Sequence, residues 1–308
     1  MIKFLVTRLL SAAVVVLGVS CLVFLLIHLV PGDPVEVMLG ETASVADRET
    51  MRANLGLDQP VATQLMNFLV GLGKLDLGRS LHSRRPIAEM LAERLPATAE
   101  LALAALLVAL TLALPLGAFA ATRRNTAWDT GAMAFSMLGV SIPNFVMGPL
   151  LILVFSVMLG WLPVSGREGF GAIVLPAVTL GTSMAAILSR MVRAALLEVL
   201  EEDYIRTARA KGVGEVRILL GHAMVNATLP VITVLGLQLG TLLGGAVITE
   251  FVFSWPGIGS LTIEAIQTRD YPVLQACVLL ISLSYVVVNT ATDIAYAWLD
   301  PRIRLETD

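Results

Sequence analysis

The sequence predicts an all-α polytopic membrane protein with six transmembrane helices, and three observations lead there. Hydrophobic residues make up 56% of the 308 and charged residues 15%, with a mean hydropathy of +0.83. A soluble domain is nearer half apolar and a quarter charged. The apolar residues are gathered into long runs, which is the pattern of membrane spans and not of a large soluble core. Lys and Arg are divided unevenly between alternate connecting loops.

Six segments lack Asp, Glu, Lys and Arg for long enough to cross a bilayer: 9–30, 101–121, 130–160, 169–189, 223–249 and 271–292. A crossing helix needs about 20 such residues. The first follows Lys3 and Arg8, as a secretory signal does. It is longer than the roughly 7–15 apolar residues of a signal core and lacks a small-residue cleavage site. Ser20-Cys21 faintly resembles a lipoprotein site, but the apolar run continues to Val30, so a retained helix is expected. The third segment is over-long, and a turn is expected near Trp161-Leu162-Pro163. Trp161, Trp255 and Tyr271 fall at span ends, where amphipathic rings suit the interface. Pro115, Pro143, Pro149, Pro176 and Pro230 lie within or beside spans. They predict kinks or breaks whose freed carbonyls need partners from neighbouring helices or cavity water.

Between the first two spans, 31–99 is large enough for a small subdomain. It opens with Pro31-Gly-Asp-Pro34. A helix is expected over 44–54, then Leu55-Gly-Leu-Asp-Gln-Pro60, then a second apolar-periodic helix over 61–72. The segment returns through Asp76-Leu-Gly-Arg-Ser80 and Arg84-Arg-Pro86, punctuation that argues for ordered turns. With the N-terminus inside, the inner side carries Lys3, Arg8, Arg123, Arg124, Arg190, Arg193, Arg206, Arg209, Lys211, Arg217, Arg302 and Arg304. The short outer loops carry only Arg167 and Arg269. That asymmetry places both termini in the cytoplasm. The seven basic residues of 31–99 do not count against it, since long translocated segments are largely exempt.

In the fifth span Gly236, Gly240 and Gly244 are four apart and share one helix face, which lets another backbone approach closely. The face serves either packing within this bundle, or a subunit interface or pore wall. Asn144, Gln238 and Asn289 are polar groups inside spans. Each either lines a translocation path or hydrogen-bonds a neighbouring helix. Glu250 and Asp293 sit at span ends, as interfacial or capped carboxylates.

The polar stretch 201–222 interrupts the greasy sequence. Glu201, Glu202 and Asp203 precede a helix-forming run over 204–211, and Arg209 and Lys211 close it, both complementing the helix dipole. Gly212 offers a left-handed stop, and 215–220 can form a second short helix. The expected result is a helix–turn–helix under the membrane, with Ala208 and Ala210 leaving a smooth patch. It reads either as an ordinary basic inner loop or as a docking handle for a soluble partner.

Several chemistries have no carrier in the sequence. The nearest approach to a phosphate loop, Gly71-Leu-Gly-Lys74, lacks the spacing and the hydroxyl residue. No nucleophile elbow, catalytic carboxylate pair or His-Glu-x-x-His motif is present. Cys21, Cys277 and the scattered His28, His82 and His222 make no metal pattern. The net charge of −3, with no basic cluster, excludes a nucleic-acid partner. A proton-coupled carrier would keep ionisable groups deep in its spans, so the energy source is expected outside this chain.

Glu202-Asp-Tyr-Ile-Arg-Thr-Ala-Arg-Ala-Lys-Gly212, followed by Asn226-Ala-Thr-Leu-Pro230, closely resembles the Glu-Ala-Ala loop of ABC importer permeases. Thr207-Ala208-Arg209 takes the place of the named triplet, so no role of the missing glutamate carries over. Pro31 to Pro34, Leu55 to Pro60, Asp76 to Ser80, Phe253-Ser-Trp-Pro-Gly-Ile-Gly259, Arg269-Asp-Tyr-Pro272 and Asp300-Pro-Arg-Ile-Arg304 resemble the first permease subunit of dipeptide, oligopeptide, glutathione and nickel importers. The resemblance spans nearly the whole chain. It implies a type I ABC importer permease fold in a bacterial inner (plasma) membrane. It also implies a second homologous permease, two ABC ATPase subunits that hold ATP and Mg, and an extracytoplasmic substrate-binding protein, with no cofactor or metal in this chain. Tyr204, Arg206, Thr207, Ala208, Arg209, Ala210, Lys211 and Gly212 would couple to the ATPase, and this chain would itself be no enzyme. The implied organisation is 1–30 as N-terminus and first helix, 31–99 as outer subdomain, 100–300 as permease core with the coupling loop 201–222, and 301–308 as tail. The expected cargo is a dipeptide or oligopeptide. A nickel chelate or glutathione, an ion-coupled secondary transporter, and a structural scaffold without substrate flux are the alternatives.

Overall fold

The computed structural model describes residues 2–29, 35, 44–54, 56–169 and 171–299. The expected turn at 31–34, the motif at 300–304 and the tail 301–308 lie outside the described residues. Among the described residues the regular structure is helical, apart from one isolated antiparallel bridge between Arg79 and Pro86. Three helices are long and apolar enough to cross a membrane, Ile87–Thr122, Glu215–Gly240 and Tyr271–Thr292, and the bent pair Ala127–Ser141 with Asn144–Met158 makes a fourth. The chain divides into two compact units, the described residues of Met1–Thr98 with Pro256–Ser284 and those of Ala99–Trp255 with Tyr285–Asp308.

The first unit contains α1 (Ile2–Leu29), α2 (Val45–Asn54), α3 (Val61–Gly73), the start of α4 (Ile87–Thr122), α11 (Ile258–Gln267) and the start of α12 (Tyr271–Leu299). Helix α2 begins where the Ser44 hydroxyl accepts from the Asp47 N–H at 3.2 Å, satisfying a first-turn donor. Phe68 of α3 stacks on Phe24 of α1 with ring centroids 5.7 Å apart. Ile87, Leu91, Ile258, Leu261, Val273 and Cys277 belong to one buried apolar cluster. Beside it Asp270 is buried and accepts from Ser80 Oγ at 2.5 Å and from the N–H groups of Leu81 and His82 at 3.2 and 3.3 Å. A buried carboxylate needs such donors. Two of the sequence motifs, Asp76 to Ser80 and Arg269 to Pro272, therefore form one knot.

Helix α4 starts well before the apolar stretch at 101–121. Its first turns carry Glu89, Glu93 and Arg94, which end an apolar run without ending a helix. Arg85 reaches back to Glu93 at 2.6 Å and Glu89 at 3.5 Å.

The second unit is built around α7 (Val174–Leu200), of which Leu180, Leu188, Val192 and Leu196 are buried. Small residues allow its close neighbours. A Cβ on Gly181 would lie 2.7 Å from Val108 of α4, and one on Gly117 of α4 would lie 2.6 Å from Val192. Helix α5 (Ala127–Ser141) also packs on α7: a Cβ on Gly139 would come within 2.9 Å of the Thr182 carbonyl. Two polar links join these helices. Ser189 Oγ donates to Ser136 Oγ at 2.9 Å, and Arg193 meets Asp129 with two bonds of 2.6 Å. Asp129 is buried, so the bidentate guanidinium supplies the partner its charge requires.

The chain breaks after Ser141 and bends by 99° into α6 (Asn144–Leu151), which continues in wider turns through Ile152–Met158. Ile142 and Pro143 are extended, with ψ 114° and 144°. Proline disfavours the helical conformation in the residue before it, and its missing N–H costs nothing at a helix start. The third stretch thus has two breaks, the expected turn after Met158 and a sharper one at 142–143. Glu250, expected as an interfacial or capped carboxylate, is fully buried near the end of α10 (Met224–Val252), and its backbone carbonyl accepts from the Trp255 N–H at 2.7 Å. The side chain of Asp293 lies outside the described residues.

Candidate functional site

The polar stretch folds as α8 (Asp203–Ala210), a turn, and α9 (Glu215–Ile218), which runs through the wide turn Leu219–Ala223 into α10. Helix α8 stops as the sequence expects. Gly212 has φ +78°, its N–H bonds the Arg209 carbonyl at 2.9 Å, and the Val213 N–H bonds the Ala208 carbonyl at 3.2 Å. That pair of bonds satisfies the last carbonyls, and the left-handed residue between them favours glycine. A Cβ there would meet no atom within 4 Å, so backbone conformation alone makes the demand.

Ile205 is the buried anchor of α8, Tyr204 and Arg206 are exposed, and Ala208 is half-buried. Two braces tie the helix to the chain beyond its C-terminus. Arg209 bonds Glu215 through Nε and Nη2 at 2.8 and 3.2 Å across the turn, and this raises the guanidinium pKa further above its ordinary value. Asn226 Nδ2 donates to the Tyr204 hydroxyl at 2.7 Å. Arg206 pairs with Asp203 at 3.2 Å, and the Thr207 hydroxyl bonds the Asp203 carbonyl at 3.0 Å. Ala210 and Lys211 complete the exposed outer turn. Val216 and Leu220, one helical turn apart, are 72% and 60% exposed and line a shallow recess with Gly214 and Gly221. The Arg209–Glu215 clamp was missed in the sequence, although a glycine turn between opposite charges six apart is a readable signal.

A second feature lies at the 142–143 break. A cleft of about 330 Å³ is lined by Asn144 of α6, Ser183 of α7 and Gln238 of α10, with Ile142, Leu180 and Met184 among its apolar wall. The structure therefore brings together Asn144 and Gln238, which sequence reading proposed separately, and adds Ser183. Asn289 is half-buried on α12 and does not line this cleft. Gly236 and Gly240 turn towards α12: a Cβ on Gly236 would collide with Thr292, and one on Gly240 would lie 2.5 Å from the Tyr285 ring. These two glycines make close contacts within the chain, while the surroundings of Gly244 lie outside the described residues.

Comparison with known proteins gives consistent results. Residues 113–305 match the family described as the binding-protein-dependent transport system inner membrane component. Residues 1–102 match the N-terminal part of the corresponding membrane component. The chain is 43% identical over 304 residues to the glutathione transport system permease protein GsiC of Escherichia coli O6:H1, covering 99% of both chains. It is 42% identical, with the same coverage, to the protein of that name in Shigella dysenteriae serotype 1. Among solved structures, an inward-facing conformation of the MetNI methionine ABC transporter superposes with a TM-score of 0.62 at 20% identity, covering 70% of this chain and 99% of that one.

Proposed function

Because this chain belongs to the binding-protein-dependent inner membrane components, the permease subunits of ABC importers, we propose that it forms part of an ATP-driven import path for glutathione across the bacterial inner membrane. One observation carries the cargo: relatives over 40% identical along the whole length are glutathione permeases. It favours glutathione, a small peptide, over the dipeptide or oligopeptide cargo expected from the sequence motifs. In this reading six helices cross the membrane with both termini in the cytoplasm, and 31–99 lies outside. A second homologous permease completes the path, a binding protein delivers the cargo, and two ATPase subunits hold ATP and Mg. This chain holds no ATP of its own.

The work is mechanical. ATP closes the ATPase pair, the pair moves α8, and the helices change which side the path opens to. The braces support this reading. Arg209–Glu215 and Tyr204–Asn226 join α8 to the helix that continues through the membrane, so a push on α8 moves α10 with it. The complex purified with its neighbours and placed in proteoliposomes tests it. ATP-dependent accumulation of reduced glutathione should exceed that of a dipeptide or a nickel chelate. Arg209→Glu combined with Gly212→Pro should abolish accumulation while the permeases still assemble. Uptake that persists in that variant overturns the coupling role, and uptake driven by an ion gradient without ATP overturns the class.

A further inference from the structure

We propose that the cleft at the 142–143 break is a cargo subsite that takes a neutral, amide-bearing segment, the peptide-bond region of glutathione, through the side-chain amides of Asn144 and Gln238. The proposal rests on the permease reading above. It starts from the backbone. Ile142 and Pro143 interrupt a helix near the middle of an apolar stretch. Broken helix at that depth leaves polar groups that lipid cannot satisfy, and it is tolerated only inside protein or against a cavity that holds water or ligand. The cleft is such a cavity, and its size of about 330 Å³ falls within the range of small-ligand sites.

The lining selects the ligand chemistry. Asn144, Ser183 and Gln238 come from three different helices, and the lining includes no Asp, Glu, Lys, Arg or His. A carboxylate or ammonium brought here would lose water without gaining an opposite charge. A primary amide both donates and accepts, and so matches the N–H and C=O of a peptide bond. The side chain of Asn144 makes no hydrogen bond among the described residues, Gln238 already has an interaction partner of its own, and the Ser183 hydroxyl bonds the Leu180 carbonyl at 2.9 Å, so Asn144 offers the open amide and Gln238 its remaining capacity. The apolar wall of Ile142, Leu180 and Met184 gives the methylene portions of a small peptide a surface to cover. The charged ends of the cargo then lie outside the cleft, and the grip stays weak enough for release.

The test uses the assembled complex, with both permeases, the ATPase subunits and the binding protein, in proteoliposomes supplied with isotopically labelled reduced glutathione. Asn144→Leu and Gln238→Leu should each cut uptake by about tenfold, the scale of one lost amide hydrogen bond. Assembly and ATP hydrolysis stimulated by the binding protein should be unchanged, and Asn144→Gln should recover part of the uptake. In a background with Cys21 and Cys277 replaced by alanine, Asn144→Cys should react with a water-soluble maleimide and be protected during turnover with S-methylglutathione, whose capped sulfur does not consume the reagent. Unchanged uptake in both leucine variants overturns the proposal. So does loss of assembly, or an Asn144→Cys thiol that never reacts in the complex, because either outcome makes the cleft a seam filled by the second permease. If the unaltered complex accumulates a dipeptide and not glutathione, the cargo assignment fails instead. The same variants assayed on the dipeptide then decide the cleft.

Discussion

Asp129 and Arg193 place a charged pair where the sequence pointed only to an orientation signal. The carboxylate is 4% exposed and bonded twice by the guanidinium, which ties the start of α5 to α7. Removing one partner strands a buried charge, at a cost of about 3 kcal/mol. Arg193→Met should therefore lower the melting temperature of the purified protein by several degrees. Adding Asp129→Asn should restore much of the loss, and a double variant no better than the single one would argue against the pair. The pair was illegible because its members are 64 residues apart and only helix packing brings them together. Gly212 was legible from local chemistry alone, because a helix with basic residues in its last turn and a following glycine has few other ways to end.

At the scale of elements, α8 is held as a braced unit, and the braces differ in kind from the docking surface they support. Glu215 is exposed, and an exposed ion pair shifts an equilibrium by less than about fivefold. Glu215→Ala should thus reduce glutathione uptake by less than that factor, with ATP hydrolysis retained. Arg209→Glu should reduce it further, because it also reverses charge on the face offered to the ATPase. Equal losses would mean that the clamp is the whole role of Arg209. The helices at 44–54 and 61–72 were legible in the sequence, the second from its apolar period. The start of α4 and the end of α7 were not, because charged residues end an apolar stretch while the helix continues on one buried face. The break at 142–143 was readable as a proline. Its consequence, a cleft joining three helices, required the fold.

Across the whole molecule, the proposed topology puts α8 inside and Arg167 outside. With Cys21 and Cys277 replaced, Arg167→Cys should react with a membrane-impermeant thiol reagent in cells whose outer barrier is opened. Arg206→Cys should react only after the inner membrane is permeabilised, and the reverse pattern would invert the topology. The unit that holds Asp270 adds a matter of timing. Ser80 and Asp270 are 190 residues apart in sequence, and most of the chain between them belongs to the other unit. At synthesis rates of roughly 5–20 residues per second, Ser80 leaves the ribosome roughly 10–40 s before its partner. For that interval the 80–82 turn is without its acceptor. The first unit therefore cannot close until most of the second has been made, and damage to Asp270 should appear as proteolysis of the newly made chain before any loss of transport in the mature one.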